Sequence, residues 1–343
     1  MLFLLAVATS VSRSESLSSA LRGAPRLGLG MASLGRPGYI NLGHAEDMPA
    51  ERTKEAMEIH AHAVLDEAYA LGLRYIDCAR SYGLSEQFVA SWMKERPEAA
   101  ASVIIGSKWG YEYTADWRVE VGDGEAHEVK KHTVAQHTRQ LAETRDLLSS
   151  HLALYQIHSA TEASGVLEAD DVLDVLAKLR DEGCAVGASV SHPQIRPLQL
   201  AREATRAGAP VFSSVQATFN LLDQSAGEAL RQCHEAGVLV IIKEALANGR
   251  LTSRASDPRV KQLLRDEADA LRTTPDALSL AWVLSHEWVS MVLSGASSAE
   301  MLRSNADALR ITPLPPDVMA RLGDALGQQV EDYWGDRRAL TWN

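Results

Sequence analysis

The sequence predicts a single α/β domain, a (β/α)8 barrel with an extra C-terminal helix and tail. Three observations carry that expectation. Short apolar strand patterns alternate with amphipathic helix patterns from Leu27 onward, and they form eight pairs. Apolar strands close on polar residues, with Asp77, Lys108 and His158 at three of the ends, where a barrel carries its chemistry. The 343 residues, 46% hydrophobic, supply one large core, and no linker or internal repeat divides them. A doubly wound open sheet is the competitor, but eight regular units favour closure.

Residues 1–24 read as a leader, disordered or a targeting segment, and residues 25–343 as the barrel domain. Met1 to Ala8 is apolar, and Thr9 to Ala24 is rich in Ser, with Arg13, Arg22 and the single acid Glu15. No basic n-region precedes Leu2, which weighs against a secretory signal. Leu27 to Gly30 is a short strand entering a Gly-rich turn. Thr53 caps a helix carrying Ala56, Ile59, Ala63, Leu65 and Ala68 at near-helical period. Strand two spans Leu73 to Cys78, and a helix from Ser85 stops before Pro97.

Strand three is Val103 to Lys108. The polar, aromatic loop that follows, Trp109 to about Glu128, is long for a plain connection and reads as a lid or binding loop. Thr133 to Leu148 is helical, and Leu152 to His158 is strand four. A helix from Asp170 to Arg180 leads to strand five, Ala185 to Ser191. A helix from Pro197 to Ala207 leads to strand six, Val211 to Gln216. Ser225 to Ala236 is helical. Val238 to Ile242, strand seven, is an unbroken apolar run of the kind a parallel sheet buries. Two helices precede strand eight, Val289 to Leu293, and Ala299 to Leu309 is the last barrel helix. Asp317 to Leu326 is one more helix, before a tail whose Trp334 and Trp342 are expected at the substrate mouth.

Composition excludes several classes. The formal charge is −11 with no long basic run, which argues against nucleic acid or an anionic membrane as the main partner. No apolar stretch of about 18 residues is present to span a bilayer. Cys78, Cys184 and Cys233 form neither a disulfide framework nor a CxxC pattern, which suits a reducing compartment. The cytoplasm is the expected location, with an organelle as the alternative if the leader targets. A small-molecule partner is expected, on a monomer or homo-oligomer.

The strand ends define the chemistry. Strand two offers Asp77 with Tyr82 beyond it, strand three Lys108, strand four His158. Strand five offers Ser189, strand six Gln216, strand seven Lys243 and Glu244, strand eight Ser294 to Ser298. A carboxylate ending an apolar strand needs a partner. Singly, Asp77 and Tyr82 fit a capping acid and a surface phenol equally well. No metal site is expected: His60 and His62 are two apart and face different sides of a helix. His132 and His137 read as solvated. Gly28-x-Gly30 lacks a third Gly at Ser33 and is no dinucleotide fingerprint.

In this order and spacing, Gly28-Leu29-Gly30-Met31, Tyr75-Ile76-Asp77-Cys78-Ala79-Arg80-Ser81-Tyr82-Gly83 and Ile104-Ile105-Gly106-Ser107-Lys108 form a recognisable set. Leu154-Tyr155-Gln156-Ile157-His158, Gly187-Ala188-Ser189, Val215-Gln216, and Ser294-Gly295-Ala296-Ser297 with Asn305 complete it. From about Leu27 to Leu309 the chain resembles the aldo-keto reductase family. The resemblance implies a catalytic tetrad of Asp77, Tyr82, Lys108 and His158. It implies NADP(H), with NAD(H) as the alternative, along Gly30, Met31, Asp77, Ser189, Gln216, Lys243, Leu246, Asn248, Ser297, Ser298 and Asn305. The implied activity is reversible, NAD(P)H-dependent reduction of aldehydes or ketones. An NAD-dependent sugar dehydrogenase and a cofactor-binding regulatory subunit are the alternatives. Tyr82 would give the proton, with the Lys108 ammonium lowering the phenol's pKa. The chain departs from the family in the turn after His158, Ser159-Ala160-Thr161, and at two cofactor positions. Val190 stands where an Asn usually grips the nicotinamide amide, and Lys243 where an aromatic usually stacks on the ring. Between Gly295 and Asn305 the only base is Arg303, which predicts weak discrimination for a 2′-phosphate.

Overall fold

The computed structural model describes residues 17–19, 21 and 23–343. Most of the expected leader therefore lies outside the described residues. Leu17 does not: it is buried among Tyr75, Leu154, Ala185, Ile241 and Met291, so core packing reaches into residues expected to stand apart.

Eight parallel strands close into a barrel. They are β1 (Leu27–Gly30), β2 (Tyr75–Asp77), β3 (Ile104–Trp109), β4 (Leu152–Ala160), β5 (Ala185–Val190), β6 (Ser214–Thr218), β7 (Leu239–Lys243) and β8 (Met291–Ser294). Each pairs with the next in sequence, and β8 returns to β1. Alternate residues face opposite sides. Tyr75, Leu154, Ile241 and Met291 point into the barrel. Ile76, Ile105, Ile157 and Val240 point out, into the larger core beneath the helices. With both faces buried, the strands read as continuous apolar runs. Inside the barrel, a Cβ on Gly106 would lie 2.3 Å from the Tyr75 hydroxyl, so glycine leaves the room the phenol needs.

The longer helices are α1 (Lys54–Ala70), α2 (Ser85–Glu95), α3 (Val134–Leu148), α4 (Asp170–Asp181), α5 (Ile195–Glu203) and α6 (Gly227–Glu235). They continue with α7 (Pro258–Ala270), α8 (Pro275–Leu284), α9 (Ala299–Ala306), α10 (Pro316–Leu326) and α11 (Val330–Arg338). The Thr53 and Thr133 hydroxyls accept from Ala56 N at 3.1 Å and Gln136 N at 3.2 Å, satisfying donors the first helical turns leave open.

Three elements differ from expectation. The loop after β3 is partly ordered as a ribbon, with Tyr111–Tyr113 antiparallel to Glu128–Lys130. The helix after β5 stops at Glu203, because a tight two-stranded turn, Thr205–Arg206 against Ala209–Pro210, takes over the chain. The tail contains a second helix, α11, anchored by Tyr333 and Trp334, both buried. Its apolar signal is too sparse for the periodicity to declare it.

Candidate active site

β2, β3 and β4 are neighbours, so their polar ends meet. Asp77 lies opposite Gly106, and Lys108, two residues further up β3, shares its inward face. The Lys108 ammonium donates to Asp77 Oδ2, to Cys78 O at 3.0 Å and to Tyr82 Oη at 3.3 Å. The other Asp77 oxygen accepts from Gln216 Nε2 at 3.0 Å and from Tyr75 Oη and Gln156 Nε2, each at 3.3 Å. Four side chains hold this buried carboxylate, meeting the cost of removing it from water.

Tyr82 stands in the loop beyond. Gly83 turns that loop at φ 58°, and a Cβ there would come within 2.4 Å of Gly35 O. The Tyr82 hydroxyl lies 3.4 Å from His158 Nε2, and His158 Nδ1 lies 3.2 Å from Ser81 Oγ. Burial pushes His158 well below its usual range, helped by Lys108 and Lys243, so its ring is neutral. Burial pushes Tyr82 well above its usual range, with Asp77 and Glu128 adding to the rise and Arg36 opposing it. The net direction is upward, with desolvation the largest cause.

These groups open onto a cavity of about 720 Å³. Its wall includes Gly30, Asp77, Tyr82, His158, Gln216, Lys243, Leu246, Asn248, Ser298 and Asn305. Four expected site residues are absent from that wall. Lys108 lies behind Tyr82, its ammonium 3.3 Å from that hydroxyl. Met31 is buried in the core. The Ser297 hydroxyl turns to Asp47 Oδ2 at 2.9 Å. Ser189 is fully buried with its hydroxyl unpartnered.

Sequence reasoning offered Glu244 at a strand end but missed the other charged residues on the rim and the pairs they form. Arg36, only 2% exposed, pairs with Glu128 at 3.2 Å and packs against the rings of Tyr39, Tyr82 and Trp342. Glu244, left-handed at φ 54°, accepts from Arg337 Nε of α11 at 2.7 Å. Arg254 donates to Asp47 at 2.7 Å, joining the loops after β7 and β1. No local pattern marks these pairs, whose members are far apart in sequence.

Other expectations need correction. Trp334 does not reach the mouth; its indole donates to buried Asp223 at 3.0 Å. Trp109 is buried, and Trp117 donates to Arg52 O at 2.7 Å, so Glu128 is the wall residue from that loop. Trp342 does line the cavity. His137 is buried and His132 half-buried rather than solvated; burial lowers both to about 4. Arg303 turns away to Glu67 and is not on the wall.

The Aldo/keto reductase family model matches residues 26–326. The chain belongs to that family. It is thereby an NAD(P)-dependent oxidoreductase of the aldo-keto reductase type. The chain is 25% identical to an uncharacterized oxidoreductase, YqkF, of Bacillus subtilis, covering 71% of this chain and 79% of that protein. It is 24% identical to the protein tas of Escherichia coli, over 77% of this chain and 88% of the relative. Among solved structures, an aldo-keto reductase from Bacillus halodurans superposes with a TM-score of 0.67 at 23% identity, covering 90% of this chain and 95% of that one. An aldo/keto reductase from Klebsiella pneumoniae, in complex with NADP and acetate, gives 0.64 at 21%, covering 89% and 93%. These structural likenesses share the barrel fold.

The residues present fit a nicotinamide dinucleotide. Asn248 Oδ1, on the cavity wall in the loop after β7, is a buried polar atom without a partner. Buried polar groups are rarely left so, and an amide would satisfy this one. The loop after β7 is left-handed at Glu244, Ala247 and Asn248, an uncommon backbone that clusters at binding sites.

Proposed function

We propose that this protein reduces a polar aldehyde or ketone, with Tyr82 as the proton donor. The observation that carries this reading is the Tyr82 hydroxyl on the cavity wall, between the Lys108 ammonium at 3.3 Å and His158 Nε2 at 3.4 Å. A bound nicotinamide dinucleotide would supply the hydride. A carbonyl oxygen set between Tyr82 and His158 would receive two hydrogen bonds. Ser81 would donate to His158 Nδ1, leaving Nε2 as the N–H that orients the oxygen. Tyr82, held neutral by burial, keeps its proton until negative charge develops on that oxygen. Lys108 then stabilises the phenolate, and Asp77 keeps Lys108 charged and in place.

NADP(H) is the favoured cofactor, with weak discrimination against NAD(H). At the far end of the cavity Arg254 is the guanidinium available to a 2′-phosphate, and Asp47 already engages it. Asp276 and Glu300 also line the cavity, and a carboxylate near a phosphate repels it. The second reading, oxidation of a sugar, draws on the charged and polar residues around Tyr82: Arg36, Glu128, Lys243, Glu244 and Arg337. Hydroxyl-rich substrates suit such a wall.

The test titrates NADPH and NADH by fluorescence quenching, then follows cofactor consumption over aldehydes, ketones and aldoses. Binding of both, with less than a thousandfold preference for NADPH, and turnover of a polar carbonyl are expected. Binding of neither cofactor defeats the enzyme reading.

A further inference from the structure

Lys243 is a wall residue that, among the described residues, makes no direct ion pair with a carboxylate. It ends β7, and Thr218 of β6 stands opposite it in register. Its closest polar partner is the Thr218 hydroxyl at 3.4 Å. Two carboxylates are near enough to act on it, and each is committed elsewhere. Asp77 of β2 holds Lys108, and Glu244 holds Arg337. The other charged neighbours, Lys108 of β3 and Arg337 of α11, repel it, while neutral His158 faces it from β4. Burial lowers Lys243 to about 8; Glu244 opposes that fall, and Arg337 and Lys108 add to it.

This ammonium shares one cavity with Tyr82 and His158. A ring placed to give hydride to a carbonyl carbon at those two groups lies in that cavity too. Hydride donation moves two electrons and a proton's mass to the carbon, Tyr82 adds the proton to oxygen, and the ring changes from neutral to cationic. A fixed cation on the wall favours the first state and opposes the second.

We propose that Lys243 makes this site prefer the reduced over the oxidised nicotinamide, so that product cofactor is expelled after carbonyl reduction. The inference rests on the cavity holding a nicotinamide, as proposed above. It predicts fast release of the oxidised form and poor use of it as a substrate, setting the working direction as reductive.

The experiment measures dissociation constants of NADPH and NADP+ for the wild type, Lys243→Met and Lys243→Gln, by quenching of tryptophan fluorescence. The ratio of oxidised to reduced constants should fall at least about tenfold in both variants at about pH 7. In the wild type the same ratio should fall as pH rises through about 8, where Lys243 loses its proton, and stay level in the variants. Phosphate ionisation is common to both redox forms and cancels. A ratio unchanged within about twofold in both variants overturns the proposal, including the case where both forms weaken equally. So does a variant defect confined to anionic substrates, which would make Lys243 a substrate anchor. If the wild type binds neither form, the nicotinamide reading itself has failed.

Discussion

The floor of the cavity and its rim are built on different principles. On the floor, Asp77, Lys108, Gln156 and Gln216 project from β2, β3, β4 and β6, and strand register sets their spacing. A one-residue slip in β2 would turn Asp77 out of the barrel, so the backbone ladder itself fixes the constellation. On the rim, Arg36 meets Glu128, Arg254 meets Asp47, and Arg337 meets Glu244, with partners 92, 207 and 93 residues apart. Loops and α11 bring those pairs together, and one member of each, Glu128, Arg254 or Arg337, keeps partial access to water. The floor therefore carries rigid, desolvated charge committed to one geometry. The rim carries charge that can respond to substrate, cofactor and pH.

The largest effect should come at the centre of the floor. Tyr82→Phe should lower kcat by about 10²- to 10⁴-fold, the usual worth of a placed acid, while affinity for the reduced cofactor stays within about twofold. Steady-state kinetics beside a binding titration checks this, and wild-type turnover would remove Tyr82 from its role. Lys108→Met sharpens the contrast through stability. It strands Asp77 in the barrel, and urea unfolding should show a loss of about 3–5 kcal/mol. Adding Asp77→Leu should recover part of it, since an apolar pair no longer carries a lone buried charge. An unchanged unfolding midpoint in Lys108→Met would show that the floor tolerates an unpaired carboxylate.

A smaller effect belongs to the rim. Arg337→Ala should cost about 1–3 kcal/mol at neutral pH, between the values for exposed and buried pairs. Burial pushes Glu244 up, but Arg337 and Lys243 outweigh it and hold the carboxyl at about 2. A depressed carboxylate contributes stability above its unfolded value of 4.5, and that contribution is lost as pH falls toward about 2. Arg337→Ala should flatten this acid limb. Matching acid-unfolding curves for variant and wild type would show that the pair adds nothing to the fold.

The same division separates what could be read from the chain and what could not. Strand ends were legible because apolar runs stopped at Asp77, Lys108 and His158, and alternation along a strand is a local rule. Gln156 sat in a visible motif, but its bond to Asp77 depends on β4 lying two strands from β2. The helix α11 was hidden because its core contact rests on Tyr333 and Trp334 alone, too little for a period.

By itself the sequence determined the barrel and the identity of the groups at its mouth, because hydrophobic period, caps and strand-end polarity act over a few residues. Tertiary structure alone decided the burial that pushes the Tyr82 phenol upward and which carboxylate each rim cation would meet. It also decided that Ser189 and Ser297 would be held off the cavity wall. Those outcomes depend on burial and on distances across the closed barrel, which arise only when all eight strands are in place.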